Sequence, residues 1–151
     1  MKRIMARMAL LVFMALALPA WQGYCETQTP EQLVRNFYAW YFEADKGSVA
    51  AENKDEIYKY VAWRTVKYIK ENPPANISYF AKANTFGSMG WENPTIIVGE
   101  SIPMGGDVFV VPVTFKLNYE SYRKNISVVV FVKNENKHLY ITKVVDIYPY
   151  F

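Results

Sequence analysis

TPEQLVRNFYAWYFEA, residues 29–44, decides the fold. Thr29 is placed to cap a helix, Pro30 suits its first turn, and Gln32 stands three residues on, where a capping box needs it. Stepping about 100° per residue, Leu33, Val34, Phe37, Tyr38, Trp40, Tyr41, Phe42 and Ala44 cover an arc of about 200°, leaving Arg35, Asn36, Ala39 and Glu43 for water. That arc is wider than the stripe of an ordinary amphipathic helix. Such a helix is wrapped by a sheet or touched from two sides, and the rings of FYAWYF (37–42) fill the contact.

Downstream, a charged loop leads to a second predicted helix over 55–72, DEIYKYVAWRTVKYIKEN, stopped by the following prolines. Its acids lie at the start and its lysines at the end, as the helix dipole favours. Ile57, Val61, Tyr68 and Ile69 form its expected core side; Tyr60 and Trp63 fall with Lys59, Arg64 and Lys67 on the polar side. NISYFAKANTF (76–86) reads as a short third helix, and GSMGWENP as turns. Strand signals fill the remainder: TIIVGES, the hairpin PMGGD, DVFVVPVTFKLNY, NISVVVFVK and, after NENK, HLYITKVVDIYPY. In the longest of these, Phe109, Val111, Val113, Phe115 and Leu117 alternate with more polar partners, so one face is buried. Pro112 brings no amide hydrogen to a ladder, which predicts an edge position or a bulge.

Helices first and an antiparallel meander afterwards is the α+β order: N-terminal helices packed on a curved antiparallel sheet of about four strands. A long helix with so wide an apolar arc, laid across a bent sheet, matches the cone of the nuclear transport factor two and cystatin-like folds.

A hydrophobic fraction of 52% against 21% charged, over 151 residues, fits one globular domain and excludes a disordered chain. The basic start MKRIMAR, the apolar run MALLVFMALAL and the short polar stretch to Cys25 read as a signal peptide over 1–25, leaving 26–151 as a single domain. The run is short for a membrane span. Gly23 and Cys25 supply the small residues for cleavage after Cys25, with Ala17 and Ala20 as alternative ends. Lipidation of Cys25 is disfavoured, because Tyr24 and Gln22 stand where a lipoprotein signal has a small and an aliphatic residue. The expected place is the periplasm, with membrane contact only through the export signal or, less favoured, a lipid anchor. The formal charge of +3 comes entirely from Lys2, Arg3 and Arg7; without them bases and acids balance at 14 each. No field then steers nucleic acid to the domain.

TPEQLVRNFYAWYF, YKYVAWRTVKYI, NISYFAKANTFGSMGW and LYITKVVDIYPYF together resemble, in that order, the segments of a YbjP-like family of exported, mostly enterobacterial proteins of unknown function. The resemblance spans about Thr29 to Ile147 and implies an exported or membrane-anchored location and a cone fold, with no established activity. This chain departs from the family in its third segment, where Asn76, Ser78, Asn84 and Thr85 stand in place of the common acids. Any carboxylate chemistry of that segment is thereby in doubt, while its rings Tyr79, Phe80 and Phe86 persist.

Cys25 is the only cysteine and His138 the only histidine. A zinc site of usual composition, a disulfide within the chain and a Ser-His-Asp device built on any other histidine are excluded. No metal and no cofactor are expected, and GSMGW and MGGD lack the context of a phosphate loop. Cone folds can host a carboxylate whose pKa is raised by apolar walls. Glu92, Glu100, Asp107 and Asp146, with Tyr38, Tyr41 or Tyr119 as donors, are the residues for that, but no acid and base stand paired. A non-enzymatic protein-interaction module is the expectation, with an immunity protein that blocks a periplasmic toxin as one concrete case. Its contact surface would be Tyr60 and Trp63, or an outer sheet face carrying Val108, Val110 and Val129, the latter also suited to self-association. The alternative is a small-ligand pocket lined by Tyr38, Tyr41, Phe42 and Trp91.

Overall fold

Helix α1 (Pro30–Asp45) opens with the expected capping box: the Gln32 amide donates to Thr29 Oγ1 at 3.2 Å, and the Thr29 amide donates to Gln32 Oε1 at 2.8 Å. In this computed structural model, residues 28–45, 50–73, 78–82, 94–119 and 122–147 are described, without the side chains of 118, 119 and 122–124. The expected signal peptide with Cys25, most of the third predicted helix, Trp91 and Glu92 lie outside them.

The apolar arc of α1 is buried as its period dictates. Leu33, Val34, Phe37, Tyr38, Tyr41, Phe42 and Ala44 are all closed to solvent, Trp40 is half-buried, and Arg35, Asn36, Ala39 and Glu43 are exposed. The helix lies against strands β1 (Thr95–Val98), β3 (Val108–Tyr119) and β5 (His138–Asp146). At its far end Lys54 Nζ donates to the Ala44 carbonyl at 2.7 Å and satisfies one of the terminal acceptors.

The second predicted helix is broken. Residues Asp55–Lys59 form a 3-10 turn, the chain then extends through Val61, and α2 runs only over Trp63–Glu71. Pairing with β5 causes the break: the Ile141 amide donates to the Tyr60 carbonyl at 2.8 Å, and the Ala62 amide donates to the Ile141 carbonyl at 3.0 Å. The interruption resets the helical phase. Ile57, Val61 and Ile69 are buried as expected, but Thr65 and Val66 take the remaining inward places and Tyr68 is turned out, 58% exposed.

Among the described residues, five antiparallel strands, where about four were expected, make an open α+β arrangement of two helices on one sheet. The extra strand is the short β2 (Ile102–Gly105); it shares with β1 the same flank of β3, while β4 (Tyr122–Glu135) and then β5 continue on the other. Val111, Val113, Phe115 and Leu117 of β3 face α1, as do Ile126, Val128, Val130 and Val132 of β4. Pro112 needs neither an edge nor a bulge in β3. Its carbonyl accepts from the Gly99 amide at 2.9 Å, so its missing amide hydrogen faces the gap where β1 has ended and β2 has not begun. Gly99 is required there, since a Cβ would stand 2.8 Å from Pro112 Cγ. At the β4–β5 hairpin Asn136 and Lys137 take φ of 54° and 68°, the paired left-handed residues of a tight two-residue turn.

Candidate functional site

The rings of α1 form a filled core. Phe37 contacts Tyr38, Tyr41 and Phe80 at centroid distances of 4.9, 5.5 and 4.9 Å, and Tyr38 meets Phe115 edge-on at 4.8 Å. Their hydroxyls are already used. Tyr38 donates to the Phe80 carbonyl at 2.9 Å; Tyr41 lies 2.8 Å from Glu52 Oε1 and 2.8 Å from Ser78 Oγ. Burial pushes both phenols well above their ordinary pKa, and at Tyr41 the Glu52 carboxylate adds to it. Tyr38, Tyr41 and Phe42, expected to line an open pocket, are therefore core residues closed to water; Trp91, their fourth member, is outside the described residues. Of the carboxylates considered for catalysis, Glu100, Asp107 and Asp146 are exposed rather than enclosed in an apolar pocket. Among the described residues no group of three or more metal-ligating side chains occurs.

Two surfaces remain. One is the sheet face turned away from α1. Val110 stands between Ile102 and Phe131, and Val129 stands between Pro112 and Val145, all in direct cross-strand register. Val110 and Val129 are half-buried there among apolar neighbours, Val108 is half-buried between Gly105 and Lys133, and Ile102 is 55% exposed.

The second surface surrounds α2 and β5. Trp63, the first residue of α2, is 60% exposed, and Arg64 rests on its ring at 5.6 Å. With Tyr58, His138 and Tyr140 it lines a groove of about 330 Å³, in which the His138 and Tyr140 rings stack at 6.5 Å. His138 Nδ1 lies 3.1 Å from the Asn136 carbonyl, a turn contact. Tyr60, expected beside Trp63, instead points inward: it is half-buried and stacks on Trp40 at 5.5 Å. On the other side of α2 a second hollow of about 420 Å³ lies between Arg64, Tyr68, Tyr79, Lys82, Thr142 and Lys143. The Thr65 hydroxyl donates to the Thr142 carbonyl at 2.8 Å and pins α2 to β5 between the two hollows. Sequence reading singled out Trp63 as an outward-facing ring but not Tyr58, Tyr140 or the second hollow, because only the fold brings these distant positions together.

No protein-family model matches the chain, and neither does any curated protein. Among solved structures, the chain is similar to one from the type VI native effector-immunity complex Tae3-Tai3 of Ralstonia pickettii, with a TM-score of 0.67 and 29% identity over 82% of this chain and 99% of that one. The selenomethionine form of the complex gives a TM-score of 0.63 and 28% identity over 82% and 100%. Among the described residues no helix is long and apolar enough to cross a membrane. By sequence and fold together, this chain is similar to a component of a type VI effector-immunity complex over nearly that component's whole length.

Proposed function

We propose that the chain is an immunity-type protein: a non-enzymatic, periplasmic domain that binds a type VI effector and blocks it. The observation that carries this reading is the likeness to a chain of the Tae3-Tai3 complex, which spans almost all of that chain. The immunity side, rather than the effector side, follows from the chemistry available. The sole histidine is the exposed first residue of β5, and the sole cysteine falls in the predicted leader. The leader itself supports export to the compartment where a delivered toxin would act.

Trp63, Tyr58 and Tyr140 are the contact residues on this reading. Aromatic side chains are the commonest energetic anchors of protein interfaces, and a tryptophan 60% exposed at the head of a helix is poorly used otherwise. The apolar outer face with Val108, Val110 and Val129 supports self-association as a second contact. The small-ligand reading is not favoured, since the hydroxyls of Tyr38 and Tyr41 are spent inside the core.

Growth rescue tests the proposal. Type VI effectors of the chain's own host, and Tae3 of Ralstonia pickettii as a further panel member, are directed to the periplasm of a test strain with and without this chain. Rescue from one of the host's effectors, dependent on residues 1–25, is the expected result. Loss of growth unaltered by the chain across the host's effectors contradicts it.

A further inference from the structure

The hollow between α2 and β5 gathers three cations: Arg64 from α2, Lys82 from the turn after Phe80, and Lys143 from β5. Hydroxyl groups of Tyr68 and Tyr79 complete its wall, while the Thr142 hydroxyl donates to the Phe131 carbonyl at 3.3 Å, and none of the residues lining the hollow is acidic. Lys82 is held in place. Its amide donates to the Ser78 carbonyl at 2.9 Å, its backbone is left-handed at φ 51°, and its ammonium lies 4.1 Å from the centre of the Tyr79 ring. Burial lowers its pKa below the ordinary lysine value; Asp146 opposes that shift, and the like charge of Lys143 adds to it. Among the described residues no carboxylate reaches salt-bridge distance of Arg64, Lys82 or Lys143, and Glu135 near Arg64 is taken by Lys133 at 2.9 Å. Lys82 is half-buried while Arg64 and Lys143 are exposed, so an anion entering the hollow meets one partly desolvated cation and two solvated ones, and the phenols beside them can complete its hydrogen bonds.

We infer that this hollow receives a carboxylate side chain of the partner protein, an Asp or Glu whose apolar neighbour settles on Trp63. The inference rests on the protein-partner reading above. Trp63 and Arg64 are adjacent, and each lines one of the two hollows, so one stretch of partner can fill both. Positive charge supplies orientation and association rate, and the exposed rings supply the anchor.

Calorimetry at 50 and 300 mM NaCl, with the effector identified by growth rescue, tests this on four proteins: wild type, Lys82→Gln/Lys143→Gln, Lys82→Arg/Lys143→Arg and Trp63→Ala. The neutral double variant is expected to bind at least tenfold more weakly at low salt, with a flattened salt dependence. The arginine double variant retains binding, and Trp63→Ala weakens binding while keeping the salt slope. Neutral-variant affinity and salt slope equal to wild type overturn the inference. A titration with N-acetylglutamate amide, followed by amide NMR shifts of Lys82, Thr142 and Lys143, separates this outcome from failure of the function itself. If no effector binds, shifts that vanish in the neutral variant still support carboxylate recognition, and their absence from wild type overturns it. Shifts with the free amide, together with effector binding indifferent to the neutral variant, mark a free-anion site and likewise overturn the partner carboxylate.

Discussion

Replacing Tyr41 by Phe removes one hydroxyl and leaves two groups, Glu52 and Ser78, without a partner they had. A carboxylate only accepts, so the single phenolic hydrogen goes to Glu52 Oε1, and Ser78 must donate its own hydrogen to Tyr41 Oη at 2.8 Å. Ser78 Oγ meanwhile accepts from the Ala81 amide at 3.1 Å, which holds the turn that carries Phe80 into the core. In the variant Glu52, only half-buried, can turn to water, whereas the buried Ser78 keeps a donor with nowhere to go. One neutral hydrogen bond at about 1 kcal/mol and one charge-assisted bond at about 1.5–3 kcal/mol, partly recovered by water, give a loss of about 2–4 kcal/mol. Tyr38→Phe sacrifices the single bond to the Phe80 carbonyl and should cost about 1–2 kcal/mol. Urea unfolding followed by far-ultraviolet circular dichroism reads both, with an unchanged m-value expected. A Tyr41→Phe protein within about 0.5 kcal/mol of wild type, or an inverted order of the two variants, would refute the reasoning and return Tyr41 to the role of a free pocket hydroxyl.

Glu31 accepts from the Ser101 amide at 2.7 Å, and the hydrogen bonds from Ser101 hold its carboxyl at about 2, below the ordinary 4.5. The folded pKa is the lower one, so its contribution is full above about 4.5 and fades as pH falls towards 2. Because Glu31 is only partly buried and the Gln oxygen can still accept from Ser101, Glu31→Gln should lower stability at pH 7 by only about 0.5–1 kcal/mol and make the acid limb of the stability curve shallower in that window. Gly99→Ala should destabilise by about 1–3 kcal/mol through the clash with Pro112, visible as a lower urea midpoint. Val129→Asp lies on the outer face and should leave the circular dichroism spectrum intact while shifting any dimer to monomer in light scattering; an unfolded monomer contradicts that placement.

The core was legible where a local period governs. The arc of α1, its capping box and the inward odd-numbered positions of β3 all follow from single-residue spacing, and each is met by the burial found. The break at Tyr60–Ala62 was not, because 55–72 holds no glycine or proline and its helical period is uninterrupted. Only the distant Ile141, pairing through backbone groups, overrides it. Pro112 misled for a related reason, since the rule concerns one missing hydrogen bond and the gap between β1 and β2 absorbs it locally. Trp63 was visible as an exposed ring, but its companions come from Tyr58, His138 and Tyr140, and the cations from Arg64, Lys82 and Lys143. No local pattern links positions so far apart.

Hydrogen exchange of the purified domain, alone and mixed with the effector identified by growth rescue, tests the central claim most directly. The account predicts a stable complex with new protection over 58–66 and 138–144, the two flanks of the α2–β5 surface, and none over the outer-face positions 108–112. A complex that leaves 58–66 and 138–144 exchanging as in the free protein, or no complex at all, contradicts it.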